Sequence, residues 1–566
     1  MDDPQPQNIR RSLLWIFIFL AAAVSVLSLS VICLEMTGIE IIRIYLQTSF
    51  YYYPALAVAV SIILIVLNGF LALYGAVTIR KKAENHAPSA LGILTVMLSI
   101  LFCAAAVSYI RDQYLRGHGG IPSAAGLFWA RIGPVIQFGP FHDRRADASS
   151  GMVIWYFDPV RSNAQTEIRY GMEPVPERMK RAAEAAGDGK RHEFHLTGLA
   201  PSSRYYYQIP GWGDTIYTFR TGAVRESLEP VRFLVVGDTG NTGTGGYAHS
   251  YYRDVMRAAD EYYAGNTLPP AFRIHAGDAV RTGADLDSWH SYFSSYDRIT
   301  SIPGIVVPGN HEYLEDRGGN YRYFFGQPDY NSIDYRGVRI ISINPFDGPG
   351  RTLGGPILSS GRDQFEWVKN ELARSGDARW IIVAMHNPLF STGDYGMNEL
   401  LIAQYYGLFR KYKVDLVISG HDHNFDSFHF DRNSDWGGTI CVVAGTGGSA
   451  LDSYIMDRPE HRWRDWRHDR ASAAGLFQHD PYTDAGHVYG ELSWGFTDVE
   501  IRGDTMTVSY FRWLDFERFL AVTGQEKASW SMVYFDEDIW KKNNLSRVTL
   551  VKKIVKKKPP KSPFAG

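Results

Sequence analysis

Val231-Arg232-Phe233-Leu234-Val235-Val236-Gly237-Asp238-Thr239-Gly240 carries a short apolar run into a glycine turn that bears a carboxylate. Such a run, ending abruptly in a turn, reads as a buried strand with a ligand-bearing loop at its carboxyl end. The same pattern recurs downstream. Phe272–His275 leads into Gly277-Asp278-Ala279-Val280-Arg281, and Ile305–Val307 into Gly309-Asn310-His311-Glu312. Trp380–Ala384 leads into Met385-His386-Asn387-Pro388, and Val414–Ile418 into Gly420-His421-Asp422-His423. Val338–Ile343 is a further strand pattern, and amphipathic helical patterns at Ser250–Ala264, Asp363–Ser375 and Asn398–Tyr412 lie between several of the runs. Apolar strands alternating with such helices predict an α/β layered domain.

The loops decide the chemistry. Carboxylate, amide and imidazole groups arrive in succession, each just past a strand. Two cations about 3.5 to 4 Å apart need a shared carboxylate and ligands that leave positions open to water. Asp, Asn and His suit such ions, and no thiolate is offered. The glycines ahead of the ligands let the backbone turn sharply and neighbouring loops approach closely.

Outward from this core, the balance of 58 Lys+Arg against 60 Asp+Glu, with 45% hydrophobic residues, excludes a disordered or nucleic-acid-coating chain. Cys33, Cys103 and Cys441 are too few and too scattered for a disulfide framework or a cysteine zinc site. Residues 1–120 read as a transmembrane region, because Leu13–Leu34, Pro54–Val77 and Ala90–Ile110 each carry no charge over a length that spans a bilayer. Arg10, Arg11, Arg80, Lys81 and Lys82 against Arg43, Arg111 and Arg116 predict a multi-pass protein of the cell membrane, with the catalytic part outside the cytoplasm. Residues 121–222 alternate like the strands of an all-β sandwich, and Leu199-Ala-Pro-Ser-Ser-Arg-Tyr205-Tyr-Tyr207 resembles a fibronectin type III signature in which Tyr205 is structural. Residues 223–515 form the catalytic domain, interrupted by an insertion near 449–494. There Arg462-Trp-Arg-Asp-Trp-Arg-His-Asp-Arg470 reads either as a substrate lid or as a solvated insertion. Residues 516–566 are a C-terminal extension whose basic tail, Lys552 to Lys561, is expected to be disordered and to face anionic lipid or envelope polymer.

The loop series GDxG, GDxx, GNHE, VxxH and GHxH resembles the calcineurin-like metallophosphoesterase superfamily, and within it the purple acid phosphatase branch. The resemblance covers roughly 231–512, and a fibronectin-like domain ahead of it is typical of larger members. It implies a four-layer αββα sandwich and two metal ions, with Asp278 bridging, Asp238 and His423 on the first, and Asn310, His386 and His421 on the second. It implies that His311 stands beside the substrate phosphate and stabilises or protonates the leaving group, with Glu312 as a neighbour able to orient or charge it; the alternative is a structural histidine behind the ligands. One departure matters: the tyrosine expected three residues after Asp278 is Arg281, which cannot ligate a cation. No purple charge-transfer band is therefore expected, and Fe, Zn and Mn all stay open as occupants. Water or Asn241 could complete the first site. Arg281 reads either as a substrate-binding donor to phosphate or as an ion-paired arginine.

The function implied is a membrane-anchored phosphoesterase that hydrolyses phosphate monoesters by attack of a metal-held hydroxide, acting on a phosphorylated small molecule or lipid and not on nucleic acid. Two alternatives stand beside it: a phosphodiesterase or lipid-headgroup phosphatase on the same site, and a catalytically silent anchored binding module.

Overall fold

The computed structural model describes residues 131–558 apart from 160–166, 228, 241–249, 267, 347–361, 394, 450, 452–485 and 515–545. The chain divides into the units Met1–Pro122 and Ser123–Gly566, and all described residues belong to the second. Its first strands are β1 (Ile132–Gln137), β2 (Arg145–Asp147), β3 (Met152–Phe157), β4 (Glu167–Gly171), β5 (Lys180–Ala183), β6 (Ala186–Gly187), β7 (Arg191–Leu196), β8 (Arg204–Gln208) and β9 (Tyr217–Arg220). The loop-bearing region follows with β10 (Val231–Val236), β11 (Phe272–His275), β12 (Gly304–Val306), β13 (Asn331–Tyr335), β14 (Val338–Ser342), β15 (Trp380–Ala384) and β16 (Leu416–Ser419). The chain ends on β17 (Phe425–Phe430), β18 (Thr439–Ala444), β19 (His487–Glu491), β20 (Trp494–Arg502), β21 (Thr505–Leu514) and β22 (Ser546–Lys557). The main helices are α1 (Tyr252–Ala264), α2 (Leu286–Ser294), α3 (Gly319–Phe325) and α4 (Arg362–Arg374), followed by a helical run through Ile402–Tyr406 to Lys411.

Two large sheets carry the site. One has the order β22-β21-β20-β10-β11-β12-β1-β3-β7-β6, the other β19-β17-β18-β16-β15-β14-β13-β2. In the first, β10, β11 and β12 run parallel, and in the second β14, β15, β16 and β18 do. Parallel neighbours all deliver their carboxyl ends to one edge, which is why the motif loops can meet.

Burial explains the apolar runs. Phe233, Val235 and Ile274 of the first sheet share a core with Ile340, Ile382 and Ile418 of the second. The alternate residues Leu234 and Val236 pack against Val255, Trp289 and Tyr292 of α1 and α2. Ile341 and Val383 likewise pack against Val368 and Leu372 of α4 and against Phe409. Strands covered on both faces have no solvent face to mark with polar residues.

The expected fold class requires correction. The described residues form a mixed α/β arrangement with few helices, and the strands before residue 222 are not set apart from its large sheets. β1, β3, β6 and β7 extend the large sheet beyond β12, β2 joins the second sheet, and only β4, β5, β8 and β9 form a small sheet of their own. β12 would otherwise present an open parallel edge, and β1 closes it through the Gln137–Gly304 register. Trp155 of β3 then packs edge-on to Phe293 of α2 at 5.1 Å, fusing the segment to the catalytic layers. Tyr205 is structural, its hydroxyl accepting a hydrogen bond from the Ala200 N–H at 2.8 Å.

The expected membrane placement is also corrected. Among the described residues no helix is long and apolar enough to cross a membrane. The three transmembrane helices near 13–34, 54–77 and 90–110 lie outside the described residues, and the multi-pass cell-membrane location built on them is withdrawn. The insertion reading, from Arg462 to Arg470, and Asn241 fall outside the described residues as well. Of the tail expected to be disordered, Lys552 to Lys557 belong to β22, which pairs antiparallel with β21.

Candidate metal centre

Each motif loop leaves a buried strand and turns within two or three residues. The turn is made by the functional side chains themselves: Asp238, Asp278 and His421 hold left-handed backbone at φ 56°, 54° and 74°. Among the motif glycines only Gly277 has positive φ, at 91°. The others serve close approach. A Cβ on Gly309 would collide with the Asp278 carboxylate, and one on Gly420 with that of Asp238. The sequence reading of sharp glycine turns is thus right about proximity and misplaces the turn by one residue.

These approaches bring two groups of side chains together. Asp278, His386 and His421 present ligand atoms that all lie within 4.8 Å of one another. The Asn310 Oδ1 lies 3.1 Å from both His386 Nε2 and His421 Nδ1, and His386 Nε2 lies 3.2 Å from Asp278 Oδ2. Beside them, His423 Nε2 sits 3.5 Å from Asp238 Oδ1. The two groups are tied by backbone bonds, from the Asp238 N–H to the Gly277 carbonyl and from the Thr239 N–H to the Asp278 carbonyl. The six candidate ligands therefore sit at one edge, as their order in the sequence implied.

The donor chemistry fits cations. His386 donates its Nδ1–H to the Ala276 carbonyl at 2.7 Å, which turns the Nε2 lone pair toward the oxygens of Asn310 and Asp278. Three lone-pair donors then face one another, an arrangement that a cation relieves. Burial raises the Asp278 carboxyl, but the His386 and His311 imidazoles override it and hold it below the usual carboxylate range. Conversely, burial works to lower His386, and Asp278 prevails, pushing the imidazole up to about 9.

His311 stands at the rim with its side chain 36% exposed. Its Nδ1–H donates to the Arg281 carbonyl, leaving Nε2 directed toward Asp278 Oδ2 at 3.8 Å. Arg281 thus contacts the centre through its backbone. Glu312 does not orient His311, contrary to expectation. Its two oxygens accept four backbone N–H groups, those of Asp278, Ala279, Val280 and Gly309, at 2.6 to 3.3 Å. It clamps the Asp278 loop to the Asn310 loop.

Two further residues take part. His275 donates Nε2–H to Thr239 Oγ1, which in turn donates to the Ala279 carbonyl, bracing two loops from beneath. Tyr395 stacks on the His421 ring at 4.3 Å. His275 stands two residues ahead of Gly277, which was a usable signal, while Tyr395 belongs to no spaced pattern.

Comparison with known proteins agrees with this geometry. Residues 231–425 match the model of the calcineurin-like phosphoesterase family. An uncharacterized protein of Mycobacterium tuberculosis (strain CDC 1551 / Oshkosh) is 27% identical over 404 residues, covering 62% of this chain and 74% of the relative. Purple acid phosphatase 21 of Arabidopsis thaliana is 25% identical over 320 residues, covering 51% of this chain and 66% of the relative. The fold resembles that of a purple acid phosphatase from yellow lupin seeds, with a TM-score of 0.51 at 16% identity over 68% of this chain and 72% of that one. The cofactor of such a centre is a pair of metal ions drawn from iron, zinc and manganese. Loop order, clustered donors and these likenesses converge: residues 231–425 carry a calcineurin-like phosphoesterase domain, the chain is similar to purple acid phosphatases, and it is a metal-dependent hydrolase of phosphoric esters.

Proposed function

We propose that this dinuclear phosphoesterase acts on phosphate monoesters, with Asp278 shared between the ions, Asp238 and His423 holding the first, and Asn310, His386 and His421 the second. The observation that carries the reading is the convergence of the Asp278, Asn310, His386 and His421 donor atoms on one small volume. When bound, the ions supply Lewis-acid polarisation of phosphoryl oxygens and acidify water near them.

The remaining work falls to the chain. Glu312 keeps the Asp278 and Asn310 loops in register through its four amide bonds, so the donors are held before any substrate arrives. His311 has one nitrogen committed to the Arg281 carbonyl, which leaves Nε2 as its one site for carrying a proton to a leaving oxygen. The Arg281 guanidinium, borne on the same loop, is proposed as a donor to the substrate phosphate.

The test is phosphate release from a panel of monoesters and diesters, using metal-quantified full-length protein with Asp278→Asn as control. Release from monoesters that vanishes in the variant is the expected result. Release from diesters alone would replace the monoester reading. Two bound ions with no release from any ester would overturn it.

A further inference from the structure

Three arginines are buried among the described residues, Arg191, Arg232 and Arg273. Arg191 is paired with Glu193 and Arg232 with Asp498. Arg273, the most deeply buried at 1% exposure, has no carboxylate beside it among the described residues. Its guanidinium meets tyrosines instead. Nη1 donates to the Tyr292 hydroxyl at 3.0 Å, and the group lies 5.8 and 5.5 Å from the ring centres of Tyr292 and Tyr296. Ring faces attract a cation but carry no net negative charge to cancel it.

Two donors are left over. Arg273 Nε and the Tyr252 hydroxyl are buried without a hydrogen-bond partner. Tyr252 and Tyr292 stack in parallel, 5.5 Å between centroids and 5° between planes, so the two residues are near neighbours of the guanidinium. The His275 ring stands at right angles to that of Tyr292 at 5.3 Å and to that of Tyr252 at 6.2 Å. The cluster therefore lies under the brace that His275 makes between the Asp238 and Asp278 loops.

A buried charge without a counter-charge and buried donors without an acceptor are each costly, and one class of ligand answers both. We propose that Arg273 Nε and the Tyr252 hydroxyl bind a monatomic anion, a halide, in the layer between β11 and helices α1 and α2. The anion does for Arg273 what Glu193 and Asp498 do for the other two arginines. Close packing sets its size: β12 presses on the guanidinium so tightly that a Cβ on Gly304 would come within 3.1 Å of Nη2. Together with the three rings, this favours a single atom over phosphate or a carboxylate.

The test is the melting temperature of the metal-loaded full-length protein in sodium chloride and in sodium methanesulfonate at equal ionic strength, for wild type, Arg273→Met and Tyr252→Phe. Chloride should raise the wild-type value by about 2 °C over the bulkier anion. The increment should vanish in Arg273→Met and shrink in Tyr252→Phe. An equal increment in all three proteins would place the chloride elsewhere and overturn the proposal, as would no increment in wild type. Should Arg273→Met fail to fold, wild-type crystals grown in sodium bromide decide: an anomalous peak beside Arg273 Nε is expected, and its absence would overturn the proposal.

Discussion

The candidate metal centre and the C-terminal strand β22 both bury charge, and they do so by opposite routes. At the centre, acids and imidazoles gather at strand ends, where ions and substrate can reach them. In β22 the Lys556 ammonium is enclosed, 2.6 Å from Asp415 Oδ1 and bonded to the Gly438 carbonyl. Lys558 reaches the other Asp415 oxygen at 2.7 Å, across 143 positions in sequence. Both regions obey one rule, that a charge leaves water only when a counter-charge is in place. They differ in what completes the set: metal ions complete the first, and the chain itself completes the second.

Four measurements would break or sharpen this contrast. The largest effect is expected from Asp278→Asn, which removes the negative charge proposed to be shared by the two ions. Turnover should fall by about a thousandfold or more, with metal content dropping while the melting temperature moves little. A variant that keeps both ions and its rate would remove the bridging assignment.

Gly309→Ala tests crowding instead of charge, since its methyl would strike the Asp278 carboxylate. Metal affinity should weaken about 10- to 100-fold, read by equilibrium dialysis, as for other changes that disturb ligand orientation. Unchanged affinity would mean that the loops yield more readily than their close approach suggests.

Asp415→Ala should leave metal content alone and cost about 3 to 5 kcal/mol in urea unfolding, because two lysines lose their shared partner. A loss of metal with intact stability would reverse the division between the two regions.

The smallest effect concerns pH. Burial lowers the Lys556 ammonium to about 8, with Asp415 opposing that shift and Lys558 adding to it. Its pKa is thus below the ordinary 10.5. The folded state then holds fewer protons than the unfolded one between these values, so this lysine's contribution makes stability rise with pH across that window. Lys556→Met should flatten the rise in a series of urea titrations. An identical slope in wild type and variant would contradict it.

How far each region could be read from sequence follows from the same contrast. The meeting of Asp238, Asp278, Asn310, His386, His421 and His423 at one edge was legible because each stands just past an apolar run, and strand ends are where parallel sheets gather ligands. β22 was misread because its lysines look like a solvated tail, and the acid that buries one of them lies on the approach to a distant strand. The segment before residue 222 was read as strands, and what went unread is that β1, β3, β7 and β6 continue the large sheet. Alternation reports which face of a strand is covered and says nothing about which sheet it joins. Glu312 was assigned to the wrong partner because adjacency to His311 in sequence does not fix the direction of a side chain at a helical turn. Tyr395 left no trace, since an exposed loop aromatic has no period.

The left-handed backbone at Asp238, Asp278 and His421 carries a last consequence. Side chains in that conformation are strained, costing about 1 to 3 kcal/mol each in unfavourable cases, and glycine would relieve it. A selection for heat resistance alone would be drawn toward those positions, trading the chemistry for a tougher shell. Thermostable descendants chosen without an activity screen should be inspected there first.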